Sequence, residues 1–261
     1  MNAASSSTAL RVSSLAKSFS AATGAVEVLR HIDLDLQGPC VVSVVGTNGV
    51  GKSTFLRILA GLLEADRGVV LFKPPLAPGT FGYMPQSNPV LPWRRVDEDI
   101  ALPLQIKGVG REERRARARG VLNALGVDLP VAARCDSLSG GQRQIVNLCR
   151  AVIAMRRNSV LLMDEPFASL DPNARLQVAR HLQTVLDLYA PLIVFSSHDL
   201  DLTIMCSDFI IPFRQKPVDV RHADVLRVNL PRPREPEMRQ TGEYQRLLLQ
   251  SEQIFYGGLT A

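Results

Sequence analysis

Residues 46–54 read GTNGVGKST, and this stretch decides the fold. It satisfies G-x-x-x-x-G-K-[ST], follows the apolar run Val41–Val45, and leads into Phe55, Ile58, Leu59 and Leu62 at helical spacing. Glycines in such a loop let backbone N–H groups turn inward around phosphate oxygens, and a helix N-terminus adds partial positive charge. Gly46, Asn48, Gly49 and Gly51 shape the cradle. Lys52 is placed to reach the β- and γ-phosphates and Ser53 to ligate Mg2+, with Thr54 next along. A glycine-rich turn carrying a surface lysine is the bland alternative; the strand–loop–helix context argues against it.

A second piece of the same chemistry stands in SVLLMDEPFASLD, where an apolar run ends in Asp164. Ligands of open α/β sheets gather at the carboxyl ends of strands. A carboxylate there holds Mg2+ through its water shell, and Glu165, one residue on, accepts a proton from an attacking water. The bland reading is two acidic residues capping the turn before Pro166. With the phosphate loop upstream, the pair points to a nucleoside triphosphate hydrolase. A second anion-binding turn follows at LSGGQ: Ser139 is a natural helix N-cap, and Gly140 and Gly141 allow close backbone approach, with Gln142 beyond. One lysine-bearing loop implies one nucleotide per chain. The second turn therefore serves the γ-phosphate of another copy, in a head-to-tail homodimer with two-fold closure.

The rest of the chain sets bounds. At 261 residues there is room for one sizeable core with an insertion. Hydrophobic residues make up 46% and charged residues 21%, an ordinary composition, and no apolar window is long enough to span a bilayer. The N-terminal MNAASSSTALRV is not a secretory signal and reads as a frayed tail. Cys40, Cys135, Cys149 and Cys206 lie far apart, as structural thiols of a cytosolic protein do. The net charge of +5 allows an anionic partner. However, the main basic cluster, Arg111–Gly120, is interleaved with Glu112 and Glu113 and lacks aromatics, so it reads as a solvated helix face and no nucleic acid is expected. His31, His181 and His222 have no motif around them and read as surface residues.

Continuous apolar runs at Val41–Val45, Val69–Phe72, Val160–Met163 and Leu192–Phe195 predict strands buried on both faces of a parallel sheet, alternating with helices. Ile145, Leu148, Cys149 and Val152 form one helical stripe after LSGGQ. From Gln86 to Asp136 strand-like runs disappear, which predicts a helical insertion. Beyond Phe213 the chain becomes polar and proline-rich, with LPRPREPE at Leu230–Glu237, and ends in a helix-like stretch; this tail is expected to be a separate element.

The order GTNGVGKST, MPQ, LSGGQ, LLMDEP, SLD, SSHD resembles the nucleotide-binding subunit of an ATP-binding cassette transporter over about residues 9–213. The resemblance implies a P-loop NTPase core of α/β class, with a mostly parallel sheet flanked by helices. It also implies an inserted helical subdomain (about 87–150), a small antiparallel β part near the N-terminus, and a C-terminal extension, 214–261. It implies ATP and Mg2+ as cofactors. Gln86 resembles the glutamine that touches Mg2+ or the attacking water, and His198 the histidine that contacts the γ-phosphate. Asp171 resembles the aspartate that crosses the dimer interface, and Phe19 sits where an aromatic stacks on adenine. Phe19 equally fits a strand core.

NPVLPWRRVDEDIALPL, after Gln86, is similar to the nitrate, sulfonate and taurine importer branch, as is VNLPRPR in the tail. Trp93 also fits an insertion core, and LPRPR a solvated tail. The chain departs from the branch in TNGVGKS, where SGCGKS or SGSGKS is usual, and in SDFIIPF at Ser207–Phe213. The implied partners are an integral membrane permease, docked around Gln86–Trp93, and a substrate-binding protein. The implied location is cytoplasmic, on the inner face of the cell membrane. The rival reading is a soluble cassette ATPase acting on a protein scaffold, of the iron–sulfur assembly type; long heptad insertions and a second cassette, marks of other soluble members, are absent from the sequence.

Overall fold

A computed structural model describes residues 8–22, 24–76, 81–87, 90–168 and 170–256. Most of the expected N-terminal tail lies outside these residues, as does Ser169 of the SLD motif. The chain divides into two compact units, Met1–Leu76 with Leu192–Ala261, and Ala77–Pro191.

In chain order, the first unit opens with strands β1 (Ala9–Ala21), β2 (Gly24–Gln37) and β3 (Cys40–Gly46), helix α1 (Lys52–Leu59) and strand β4 (Arg67–Lys73). The second unit holds β5 (Phe81–Met84), α2 (Val96–Ile100), α3 (Leu102–Ile106), α4 (Arg111–Ala124), α5 (Gly140–Val152), β6 (Val160–Met163) and α6 (Pro172–Tyr189). The chain then returns to the first unit through β7 (Leu192–Ser197), α7 (Leu200–Cys206), β8 (Phe209–Phe213), β9 (Val218–Val220), β10 (Leu226–Arg227) and α8 (Gly242–Tyr256).

Three of the four apolar runs are the buried strands expected of them. Every residue of β3, β6 and β7 is buried. Within the first unit β3 lies parallel to both β7 and β8, and within the second β5 lies parallel to β6. The fourth run departs from expectation. Val69–Phe72 belongs to β4, the edge strand of a small sheet, antiparallel to β1, which in turn is antiparallel to β2. Val70 and Phe72 turn inward while Val69, 52% exposed, and Leu71 face solvent. Four apolar residues in a row conceal the period of two that a one-sided strand would otherwise show.

The helical region is as read: α2, α3 and α4 fill Val96–Ala124, and the stripe Ile145, Leu148, Cys149, Val152 is the buried side of α5. Leu62 is an exception, exposed past the end of α1. On α4 the buried residues are Ala118, Val121 and Leu122, and Arg117 pairs with Glu113 one turn back at 2.6 Å. Arg115 departs from the solvated face, because it lies 3.4 Å from the fully buried carboxylate of Asp97, which Arg95 approaches at the same distance. His31 and His181 are half-buried rather than surface residues. His31 meets the Asp33 carboxylate, and burial pulls the His181 pKa down; His222 is exposed.

The tail is not a separate element. β9 adds to the small sheet beside β2, β10 pairs with β8, and α8 packs on α7. Apolar anchors at Val218, Val220, Val228, Leu230, Tyr244 and Phe255 are buried. They are spaced too irregularly for either period, so the sequence shows only the polar residues between them.

All four cysteines are free and buried. Burial pushes the Cys40, Cys149 and Cys206 thiols up to about 12 and Cys135 to about 11. The thiolate is the reactive form. Iodoacetamide at pH 8 is therefore expected to alkylate the folded protein on the order of 100-fold more slowly or worse than the protein in guanidinium, where the thiols recover ordinary acidity. Mass spectrometry of the adducts reads the result.

Candidate active site

The phosphate loop leaves β3 at Gly46 and enters α1 at Lys52. Its path admits little besides glycine. Gly49 and Gly51 have φ of +76° and +127°, and a Cβ at Gly51 would also meet the Val28 side chain at 2.8 Å. Thr47, Asn48 and Gly49 are exposed at the crest. Lys52 is buried beneath them, its Nζ donating to the carbonyl oxygens of Gly46 (2.9 Å) and Thr47 (3.2 Å). The ammonium is thus held against the loop that it is expected to serve. Ser53 and Thr54, half-buried, follow in the first turn of α1.

In the same unit β7 ends at Ser197, and His198 follows, exposed. Asp199 caps α7, its Oδ1 accepting from the Leu202 N–H at 3.0 Å. His198 lines one cavity with Gly46, Thr47 and Asn48, so the structure brings the histidine and the phosphate loop together. Phe19 does not line that cavity. It lies on β1 opposite Val26, 40% exposed, with the Lys17 ammonium 5.6 Å from its ring centroid. That exposure sets aside the strand-core reading.

The second unit gathers the carboxylates and LSGGQ. β5 and β6 are paired with Met84 opposite Met163, so Gln86 and Asp164 both follow the carboxyl end of one parallel pair. The Asp164 N–H donates to the Met84 carbonyl at 2.8 Å. Asp164 and Glu165 are buried while Gln86 is exposed. Glu165 has φ of +50°, a left-handed conformation uncommon outside glycine; such strain clusters at functional positions.

Ser139 caps α5 in a reciprocal box. Its Oγ accepts from the Gln142 N–H (3.2 Å), and the Gln142 side chain accepts from the Ser139 N–H (2.9 Å). Asp171 caps α6, accepting from the N–H groups of Asn173 (3.0 Å) and Ala174 (3.1 Å). Ser139, Gly140, Gly141, Gln142 and Asp171 line one depression. A Cβ at Gly141 would sit 3.3 Å from that of Ala174, whereas one at Gly140 would meet none of the described residues within 4 Å. Packing among the described residues does not require glycine at 140.

Sequence reasoning missed a connecting residue. Gln144 is buried on α5, and its Nε2 donates to the Pro166 carbonyl at 2.6 Å, tying the LSGGQ helix to the Asp164–Glu165 turn. The only sequence signal was a glutamine on the apolar side of a helix. The Ser53 hydroxyl in the first unit, and the Gln86 and Asp164 side chains in the second, each offer hard oxygen, the donor type that Mg2+ takes.

A glycine-bound phosphate loop between buried strand and helix, followed by strand-end carboxylates, defines a P-loop nucleoside triphosphatase. LSGGQ capping a helix between those two elements narrows the class. The chain belongs to the ABC transporter family of ATPases, matching it over residues 29–168. It is 36% identical to the aliphatic sulfonates import ATP-binding protein SsuB 2 of Xanthomonas axonopodis pv. citri, over 90% of this chain and 77% of that one. It is 31% identical to the SsuB protein of Bacillus cereus, over 95% and 96%. It is 32% identical to the formylaminopyrimidine import ATP-binding protein ThiZ of Halalkalibacterium halodurans, over 68% and 70%. Among solved structures, the ATP-binding cassette MJ0796 in its dimeric, post-hydrolysis state with ADP and Pi shares the fold at a TM-score of 0.70 and 23% identity, over 85% of this chain and 100% of that one.

Proposed function

We propose that the chain is the ATP-hydrolysing subunit of an importer for a small solute of the sulfonate, nitrate or taurine kind, working on a separate membrane permease. The observation that carries this reading is the similarity to sulfonate import ATP-binding proteins, which extends over nine-tenths or more of the chain. The same relatives do not favour a soluble ATPase of the iron–sulfur assembly type. The ATPase domain is assigned to 9–213, with 87–150 as its helical insertion and 214–261 as its extension. Two copies act head to tail, a substrate-binding protein delivers the solute, and the subunit works on the cytoplasmic face of the membrane. Among the described residues no helix is long and apolar enough to cross a membrane.

In this reading the loop N–H groups and Lys52 bind the β- and γ-phosphates of ATP, with Gly46, Asn48, Gly49, Gly51 and Thr54 shaping the cradle and Phe19 stacking on adenine. Ser53, Gln86 and Asp164 would hold Mg2+, which would supply charge neutralisation on the phosphates. Glu165 takes the proton of the attacking water, and His198 and Gln86 orient it. Ser139, Gly140, Gly141 and Gln142 of one copy close on the γ-phosphate of the other, with Asp171 crossing the interface. Hydrolysis is then largely positioning and charge stabilisation.

The permease contact falls at Leu91–Trp93. Trp93 is 65% exposed and not part of an insertion core. Its turn is anchored from behind: the Leu91 N–H donates to the buried Asp99 carboxylate (3.0 Å), which also accepts from Arg150 of α5 (2.9 Å). A push on that turn therefore reaches the helix that carries LSGGQ. Trp93→Ala is expected to leave basal ATPase of the isolated subunit within a few-fold and to impair co-purification with the permease, or sulfonate uptake in reconstituted vesicles. Intact assembly and uptake in the variant would refute the docking assignment.

A further inference from the structure

The segment beyond Phe213 contributes nothing to the mechanism above, yet its side chains converge on one short helix, α7, which begins just after His198. The carbonyls at a helix C-terminus have no partners within the helix. On α7 two arginines of the tail take them. Arg232 donates to the Cys206 carbonyl (3.0 Å) and the Asp208 carboxylate (2.9 Å), and Arg234 donates to the Ile204 carbonyl (2.9 Å) and to that of Ser207. The Arg234 side chain is 2% exposed; burial lowers its pKa to about 10, which leaves it cationic at neutral pH. At the other end of α7, the Asp201 carboxylate accepts from Arg239 through Nε (2.9 Å) and Nη2 (2.6 Å) and meets the hydroxyl of Tyr244, whose ring is fully buried. From Tyr244 helix α8 runs on to Phe255, which is buried and lines the same cavity as Gly46, Thr47, Asn48 and His198. The tail thus holds both ends of α7 and supplies a wall beside the phosphate loop.

We propose that Arg232, Arg234, Arg239, Tyr244 and Phe255 form a brace that sets His198 against the phosphate loop, and so are positioning residues for ATP turnover. This rests on the role given above to His198. A helix of seven residues has little stability of its own, and its placement falls to whatever grips its ends. Misplacing a reacting group by about 1 Å can cost on the order of 100-fold in rate, so a slack brace lowers kcat without removing any contact to ATP.

The test uses the full-length chain. Tyr244→Phe removes the hydroxyl and keeps the ring, Phe255→Ala removes the wall, and Phe255→Met restores its volume. Steady-state ATPase gives kcat, titration with a fluorescent ATP analogue gives Kd, and thermal unfolding confirms a folded protein. Tyr244→Phe and Phe255→Ala are each expected to lower kcat about ten-fold with Kd unchanged within about two-fold, and Phe255→Met to recover most of the rate. In a His198→Ala background the same changes should lower the residual rate by no more than about two-fold, because the group they position is gone. If His198→Ala lowers turnover at least about ten-fold but Tyr244→Phe, Phe255→Ala and Phe255→Met are all as active as wild type, the brace is refuted. A full ten-fold loss persisting in the His198→Ala background also refutes it, since the tail then acts elsewhere. Normal turnover by His198→Ala alone overturns the histidine's own role, a distinct failure that takes the brace with it. Should Phe255→Ala not fold, Tyr244→Phe decides by the same criteria.

Discussion

Lys52→Ala is expected to reduce ATP turnover to background and to weaken ATP binding by at least about 100-fold. The backbone donors of the loop survive the substitution, but the point charge on the β- and γ-phosphates does not. Hydrogen bonds to charged groups contribute about 1.5–3 kcal/mol each, so losing even one is worth roughly ten- to 100-fold in affinity, and transition-state charge adds to that. The structure adds a second cost. Lys52 Nζ bonds to the carbonyls of Gly46 and Thr47, so its removal also loosens the crest that must wrap the phosphates. Circular dichroism should show a folded protein, because the strands and helices of the core keep their partners. Near-normal hydrolysis by such a protein would sink the phosphate-loop assignment.

Glu165→Gln should slow hydrolysis by about 10²–10⁴-fold, the usual contribution of a positioned proton acceptor. ATP-bound dimers should then accumulate, stabilised by mass action at saturating nucleotide, and gel filtration with Mg2+ and ATP should show them. Adding Ser139→Arg should return the protein to a monomer that still binds ATP, because a long side chain would occupy the space proposed for the neighbour's γ-phosphate. Ser139 also caps α5, and losing a cap costs about 1 kcal/mol, so a variant that spares the cap is a sharper probe. Gly140→Asp serves: a Cβ there meets none of the described residues within 4 Å, while a carboxylate would repel a phosphate. If Glu165→Gln dimerises and both double variants do so equally well, LSGGQ is not the closing surface.

The chemistry was legible because it is local. The phosphate loop, the carboxylates after a buried strand and the capping serine of α5 each announce themselves within a dozen residues, and the structure places each at the element end expected. What escaped reading depends on partners far along the chain. Val69–Phe72 looked like a core strand because all four residues are apolar, and only pairing with β1 at an edge decides which two face water. LPRPR looked solvated because two arginines among prolines carry no period; Arg234 is buried only because α7, some thirty residues earlier, presents carbonyls to it. Gln144 looked like an ordinary polar residue until the turn at Pro166 met its amide.

The division of the chain carries a consequence for its synthesis. The unit that holds the phosphate loop is assembled from the first and last portions of the polypeptide, with the other unit's sequence in between. Domains fold largely as units as they emerge from the ribosome. β3 leaves the tunnel early but finds neither parallel neighbour, β7 or β8, until well over half of the chain has been made. The carbonyls of α7 wait longer still, for Arg232 and Arg234. A nascent chain that stalls or is cut short can complete the unit that carries LSGGQ but not the one that carries the phosphate loop. Chaperone dependence should accordingly concentrate in the interval between the two portions, and ribosome-bound chains halted before Leu192 should be degraded by protease from the N-terminal side first.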